Sequence, residues 1–335
     1  MAFIEVKDIT KNYQVYKREK GFANNVKSLF HREYTIKEAV KHINFNIEEG
    51  ESVGYIGMNG AGKSTTIKML AGVLTPTSGS INVGGIIPYE QRKENARQMG
   101  AVFGQRSRLN WDLPMTDTFE LYRRMYNINY ERFKENVNFY TELLDMGEFI
   151  NRPVRQLSLG EKMRANLAIA FLHDPRVVYL DEPTIGLDVV AKAKIREFIR
   201  EINSKNRITI MLTTHDMADI EKICDRLIFI HHGEVFYDGQ VTAFKETYGA
   251  AYKISVICPE QLHNVQEGLS LLSCEDNKYT FEGDKRILSI EHALALLTGQ
   301  GKLISSLQVE EASIESIVMN IVGYAKQKTN RVEEG

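Results

Sequence analysis

The chain has 335 residues, with 42 basic against 44 acidic side chains and a formal net charge of −2. That length allows one large domain or two ordinary ones, each with its own core, and 43% hydrophobic with 26% charged residues excludes disorder over most of it. The balanced charge argues against bulk electrostatic binding to nucleic acid, so no such partner is expected. No run approaches the ~18–20 uninterrupted apolar residues of a bilayer span. The opening MAFIEVKDIT lacks the apolar core of a signal peptide, and Cys224, Cys258 and Cys274 sit at no metal-ligand or CxxC spacing. A reduced, cytosolic chain is expected, one that works on a membrane only through a partner.

In chain order, Ile4–Ile9 reads as a strand. Residues 14–38 then form a basic insertion with Lys17, Arg18, Lys20, Lys27 and Arg32, in which Phe22, Val26, Leu29 and Phe30 recur at helical spacing. Ser52–Ile56 is a short apolar strand, and Thr65–Leu70 a helix closed by Gly72. A helical region of about 90–170 follows, ending in a helix at Lys162–Leu172. Val177–Leu180 and Ile208–Thr213 suit central parallel strands buried on both faces, and Leu227–Ile230 adds another. This alternation predicts an α/β domain over residues 1–245. Beyond it, strands at Tyr252–Ile257, Lys278–Phe281 and Ile304–Val309, with helices at Glu291–Leu297 and Ala312–Tyr324, predict a small α+β unit over 246–325. A flexible polar tail, 326–335, is expected to end the chain.

The run Gly57-Met58-Asn59-Gly60-Ala61-Gly62-Lys63-Ser64-Thr65 fits G-x-x-x-x-G-K-[ST] between an apolar strand and a helix, the context of a P-loop. Glycines let the backbone wrap an anion with its N–H groups pointing inward, and the helix that follows presents its positive end. Lys63 can then reach the β- and γ-phosphates, and Ser64 can offer its hydroxyl to Mg²⁺. The apolar run Val177–Leu180 ends in Asp181 and Glu182. Acids at the tip of a buried strand suggest a metal ligand, Asp181, beside a general base, Glu182.

With these motifs in place, residues 1–240 resemble the ABC family of ATPases, and the resemblance implies an α/β P-loop NTPase fold with antiparallel-β and helical subdomains. It assigns Tyr13 to stacking on adenine, Gln105 to a loop that contributes to metal and catalysis, and His215 to the switch histidine. Leu157-Ser158-Leu159-Gly160-Glu161 is similar to the signature motif and Ile185-Gly186-Leu187-Asp188 to the D-loop, so Ser158, Gly160, Glu161 and Asp188 join the nucleotide set. Leu159 and Glu161 depart from the family's usual glycine and glutamine. The bland alternatives, given less weight, are an ordinary strand-end aromatic at Tyr13 and a plain helix cap at Asp188. The implied mechanism is a head-to-tail pair of ATPase subunits that sandwiches Mg²⁺-ATP between the P-loop of one and the signature of the other.

Such a chain serves a separate integral-membrane permease at the cytoplasmic face of the membrane, as one of two ATPase copies. The alternative is a soluble ATPase of the same class, associated with ribosomes or nucleic acid. A single P-loop and the lack of sustained heptads disfavour it. The tail region resembles that of type-2 exporters, which favours export. Trp111, the only tryptophan, sits where the family receives a permease helix and is either its anchor or a core side chain.

Overall fold

Ser52–Gly57 (β3) is buried along its whole length, as a strand covered on both faces must be. In the computed structural model it pairs in parallel with Thr209–Thr213 (β7) and Arg226–His231 (β8). Val177–Asp181 (β6) and Met99–Phe103 (β5) extend one side and Glu234–Gln240 (β9) the other, giving the order β5-β6-β7-β3-β8-β9. The structure describes residues 2–16, 34–103, 109–260, 262, 268–300 and 302–333.

A second sheet is antiparallel and orders Tyr34–Ile47 (β2), Ile4–Tyr16 (β1) and Ser78–Val83 (β4) as β2-β1-β4. Its apolar face, with Ile4, Val6, Ile43 and Phe45, shares one core with Tyr55 of β3, Tyr179 of β6 and Ile67 and Met69 of the helix Lys63–Leu70 (α1). Each such side chain contributes roughly 1.5–3 kcal/mol on burial, so this core locks the antiparallel sheet onto the nucleotide strand. The ends of the expected insertion belong to this sheet: β1 runs on to Tyr16 and β2 starts at Tyr34. The helical stretch read at Phe22–Phe30 lies outside the described residues.

Helices Arg92–Gln98 (α2), Met115–Tyr126 (α3), Tyr130–Leu143 (α4) and Leu159–Phe171 (α5) fill the region 90–170, but β5 within it belongs to the central sheet. Tyr140 and Phe171 meet Phe198 of Val189–Asn206 (α6) edge-on, at centroid distances of 6.2 and 5.2 Å. A short helix, Met217–Ile223 (α7), follows β7. The helix after the P-loop is capped by Ala71, and Gly72 occupies the next position at φ +72°.

The chain divides at Gly239/Gln240. The helix Val241–Tyr248 (α8) therefore belongs to the second unit, a few residues earlier than the boundary read at 245/246. That unit carries an antiparallel sheet in the order Leu269–Glu275 (β11), Lys278–Asp284 (β12), Ala251–Ile257 (β10) and Ser306–Glu311 (β13). Tyr252, Ile254 and Val256 alternate inward along β10, and with Phe281 they meet Ala293 and Leu297 of Ile290–Thr298 (α9). The last helix, Ile314–Glu333 (α10), continues through residues expected to form a flexible tail.

Candidate active site

The C-terminal ends of parallel strands collect the chemistry, as expected for an open α/β sheet. The loop Gly57–Gly62 leaves β3 there and feeds α1, whose N-cap is Gly62 at φ +107°. A Cβ at Gly62 would stand 2.5 Å from the Ala39 carbonyl oxygen, and one at Gly57 2.3 Å from that of Ile230. Packing therefore demands glycine at both positions. At Gly60, φ is +82° with nothing within 4 Å, so backbone conformation alone favours glycine on this open side of the loop. The first N–H groups of α1 have no acceptor within the helix and carry its positive end, which makes the loop fit for anionic phosphate. Asn59 and Ser64 are exposed, Ala61 is buried and Thr65 half-buried.

Lys63 is only 8% exposed. Its ammonium donates to the Gly57 and Met58 carbonyls at 2.5 and 3.3 Å, spanning the loop from inside. Burial lowers its pKa, while the carboxylates of Glu182 and Asp181 favour its charged form. The three groups therefore share one electrostatic neighbourhood.

Asp181 ends β6 opposite Thr213, whose hydroxyl donates to it at 2.5 Å. Glu182 follows at φ +56°, its N–H bound to the Thr213 carbonyl at 2.9 Å. The Glu182 carboxylate accepts from the His215 backbone N–H at 3.1 Å and lies 3.2 Å from His215 Nε2. Burial raises the Glu182 pKa above the ordinary carboxylate range; His215 opposes this, Asp181 adds to it and Lys63 opposes it. A carboxylate held this way suits proton abstraction.

The signature region has a local explanation. Ser158 caps α5: its Oγ accepts from the Glu161 N–H at 3.2 Å, and Glu161 Oε2 accepts from the Ser158 N–H at 2.7 Å. The other Glu161 oxygen meets Arg152 at 2.8 Å. Glutamine would close this capping box as well; what glutamate adds is the ion pair with Arg152. Both Glu161 oxygens are thus engaged within its own chain. Replacing Ser158 with Ala should lower the unfolding free energy by about 1 kcal/mol, measured by denaturant titration. Gly160 lies beside α6, where a Cβ would stand 3.3 Å from Ala191 Cβ.

Asp188 caps α6 by accepting from the Ala191 N–H at 2.8 Å. Tyr13 is half-buried on β1 opposite Lys37, with the Lys11 ammonium 5.6 Å from its ring. The same hairpin brings Ala39 and Val40 against Gly62, so Tyr13 belongs to the element that borders the phosphate loop. Gln105 lies outside the described residues. Trp111 is not a core side chain: it is 59% exposed, with the Lys162 ammonium 4.7 Å from its ring. Sequence reasoning missed Thr213 and Arg152, which no motif spacing marks.

A sequence profile described as ABC transporter matches residues 40–185. The ABC transporter ATP-binding protein NatA of Bacillus subtilis is 33% identical over 212 residues, 63% of this chain and 86% of NatA. The chain belongs to the ABC transporter family. The linearmycin resistance ATP-binding protein LnrL of the same organism is 29% identical over 309 residues, 90% of this chain and 97% of LnrL. The rat cholesterol transporter ABCA5 is 30% identical over 252 residues, and the chain spans only 15% of its length. Among solved structures, the dimeric post-hydrolysis state of the ATP-binding cassette MJ0796 bound to ADP and Pi superposes with a TM-score of 0.59 at 25% identity, covering 71% of this chain and 98% of that one. This ABC protein is an ATP-binding, ATP-hydrolysing subunit linked to membrane transport, and the soluble alternative finds no support. ATP-binding subunits of the family dimerise and pair with membrane permeases. Among the described residues, no helix is long and apolar enough to cross a membrane.

Proposed function

We propose that the chain drives an exporter as a peripheral homodimer on the cytoplasmic face of the membrane, acting on separate permease subunits. The observation that carries the hydrolytic part is the Glu182–His215 pair, at 3.1 and 3.2 Å, on the strand end beside Lys63. The loop amides from Gly57 to Thr65 and the Lys63 ammonium bind the phosphates, and Tyr13 stacks on the base. Ser64 and Asp181, with Gln105, hold Mg²⁺, which supplies charge neutralisation on the phosphate oxygens. Glu182 takes a proton from water as its oxygen bonds to the γ-phosphorus and the bond to the β-phosphate oxygen breaks. His215 keeps the Glu182 carboxylate aimed.

Ser158 and the Gly160 backbone, at the exposed N-terminus of α5, act on the nucleotide of the second copy, with Asp188 at the same contact. Glu161 serves that contact by holding Ser158. A nucleotide touching both copies favours the closed dimer by its extra contacts. Export is supported by the match along nearly the whole of LnrL, a protein named for drug resistance.

A tagged pull-down from detergent-solubilised native membranes tests this reading. A polytopic membrane protein that co-purifies and stimulates hydrolysis is the expected result; recovery with ribosomes alone overturns it. Trp111→Ala, at an exposed site, should fold normally yet weaken permease capture about tenfold or more in the same assay.

A further inference from the structure

Asp219, in the first turn of α7, is fully buried, and the roles above leave it unused. Its Oδ2 accepts from the Thr184 hydroxyl at 2.5 Å and from the Thr214 hydroxyl at 2.9 Å. Its Oδ1 accepts from the Arg196 guanidinium at 2.6 Å. Arg196 also reaches Asp216 Oδ2 at 3.0 Å, an oxygen shared with the Lys192 ammonium at 2.6 Å. The Asp216 N–H in turn donates to Thr214 Oγ1 at 3.0 Å. A carboxylate sealed from water is strongly disfavoured unless paired and hydrogen-bonded, and this one has a cation and two hydroxyl donors.

The partners of Asp219 come from separate segments. Thr184 lies two residues after Glu182, in a turn closed by Ile185 N–H to Glu182 O at 3.4 Å and Leu187 N–H to Thr184 O at 3.3 Å. Thr214 immediately precedes His215. Arg196 belongs to α6, the helix capped by Asp188. Glu182 itself holds φ +56°, a conformation that a non-glycine residue keeps only when its surroundings enforce it.

We propose that Asp219 is a positioning residue for hydrolysis, joining the loop that carries Glu182 to the loop that carries His215 so that their pair is formed in advance. It acts through Thr184 and Thr214, by the hydrogen bonds that fix both loops to one buried carboxylate. The inference rests on the roles proposed for Glu182 and His215. Its physical basis is that a small displacement of a catalytic group costs rate while leaving ground-state binding intact.

The test compares Asp219→Asn, Thr184→Val and Thr214→Val with the parent protein. In nucleotide-free protein, hydrogen–deuterium exchange should rise severalfold in segments 182–188 and 213–219 and stay at the parental level in the phosphate loop. With ATP, kcat should fall on the order of tenfold or more while KM changes less than twofold. Asp219→Glu, which keeps the carboxylate, should recover part of the loss. Two threonine variants with parental exchange and parental kcat overturn the proposal, and they do so even where Asp219→Asn fails to fold. A Glu182→Gln variant with parental kcat instead removes the Glu182 assignment on which the proposal stands.

Discussion

Glu182→Gln should lower the rate of ATP hydrolysis by about 10²–10⁴-fold, the usual contribution of a positioned general base. That loss corresponds to roughly 3–5 kcal/mol of transition-state stabilisation. The amide matches the carboxylate in shape, and its oxygen can still accept from the His215 N–H, which the parent holds at 3.1 Å. What it loses is basicity. Burial, the largest influence, raises the Glu182 pKa above the ordinary carboxylate range against the lowering effect of His215 and Lys63, with Asp181 adding to the rise, so the carboxylate is a stronger base than an exposed one. ATP binding should therefore persist while turnover stops. Size-exclusion chromatography with ATP should show a dimer that outlives the parental one, because the bridging nucleotide is no longer consumed. A variant that hydrolyses at the parental rate refutes the assignment, and one that stays monomeric with ATP refutes the sandwich.

Lys63→Met should abolish most of the ATP affinity. The ammonium is nearly buried and spans the Gly57 and Met58 carbonyls, so it organises the loop from within as well as offering charge. Methionine fills a similar volume with neither donor nor charge. It leaves two carbonyls without their partner and the carboxylates of Asp181 and Glu182 without their nearby cation. Truncating one side of a buried charged contact costs about 2–5 kcal/mol, equivalent to ~30-fold to several-thousand-fold in Kd. Calorimetric titration with ATP measures it directly. Thermal denaturation of the nucleotide-free variant separates a loop defect from global unfolding, and parental affinity in a folded variant sinks the assigned role.

These two experiments bear on residues that were readable from the sequence, and the reason is local. The P-loop occupies one unbroken stretch ending in Gly-Lys-Ser, and its flanks are a continuous apolar strand and a helix, although the packing that demands Gly57 and Gly62 comes from distant segments. The strand at Val177–Asp181 announced itself through four buried apolar residues followed by two acids. The cap at Ser158 and Glu161 is equally local, within one helical turn, but the sequence marked these residues only through the signature resemblance. By contrast, Tyr34–Ile47 escaped notice as a strand because charged residues break its alternation outside the half that faces the core. The helix Ile314–Glu333 ran past its expected end because a polar composition weakens the periodic signal without forbidding a helix.

Sequence by itself marked the Gly57–Thr65 loop, the acids at the end of β6 and the apolar strands that lead into them, because each is written in contiguous residues under local backbone and burial rules, whereas the role of His215 came from the family resemblance alone. Only the tertiary structure decided that Trp111 faces outward, that Ala39 closes over Gly62, and that Thr184, Arg196 and Thr214 converge on the buried carboxylate of Asp219. Those contacts join residues from different strands, helices and loops. Their partners are chosen by strand order and by the need to pair every buried charge, which no spacing along the chain encodes.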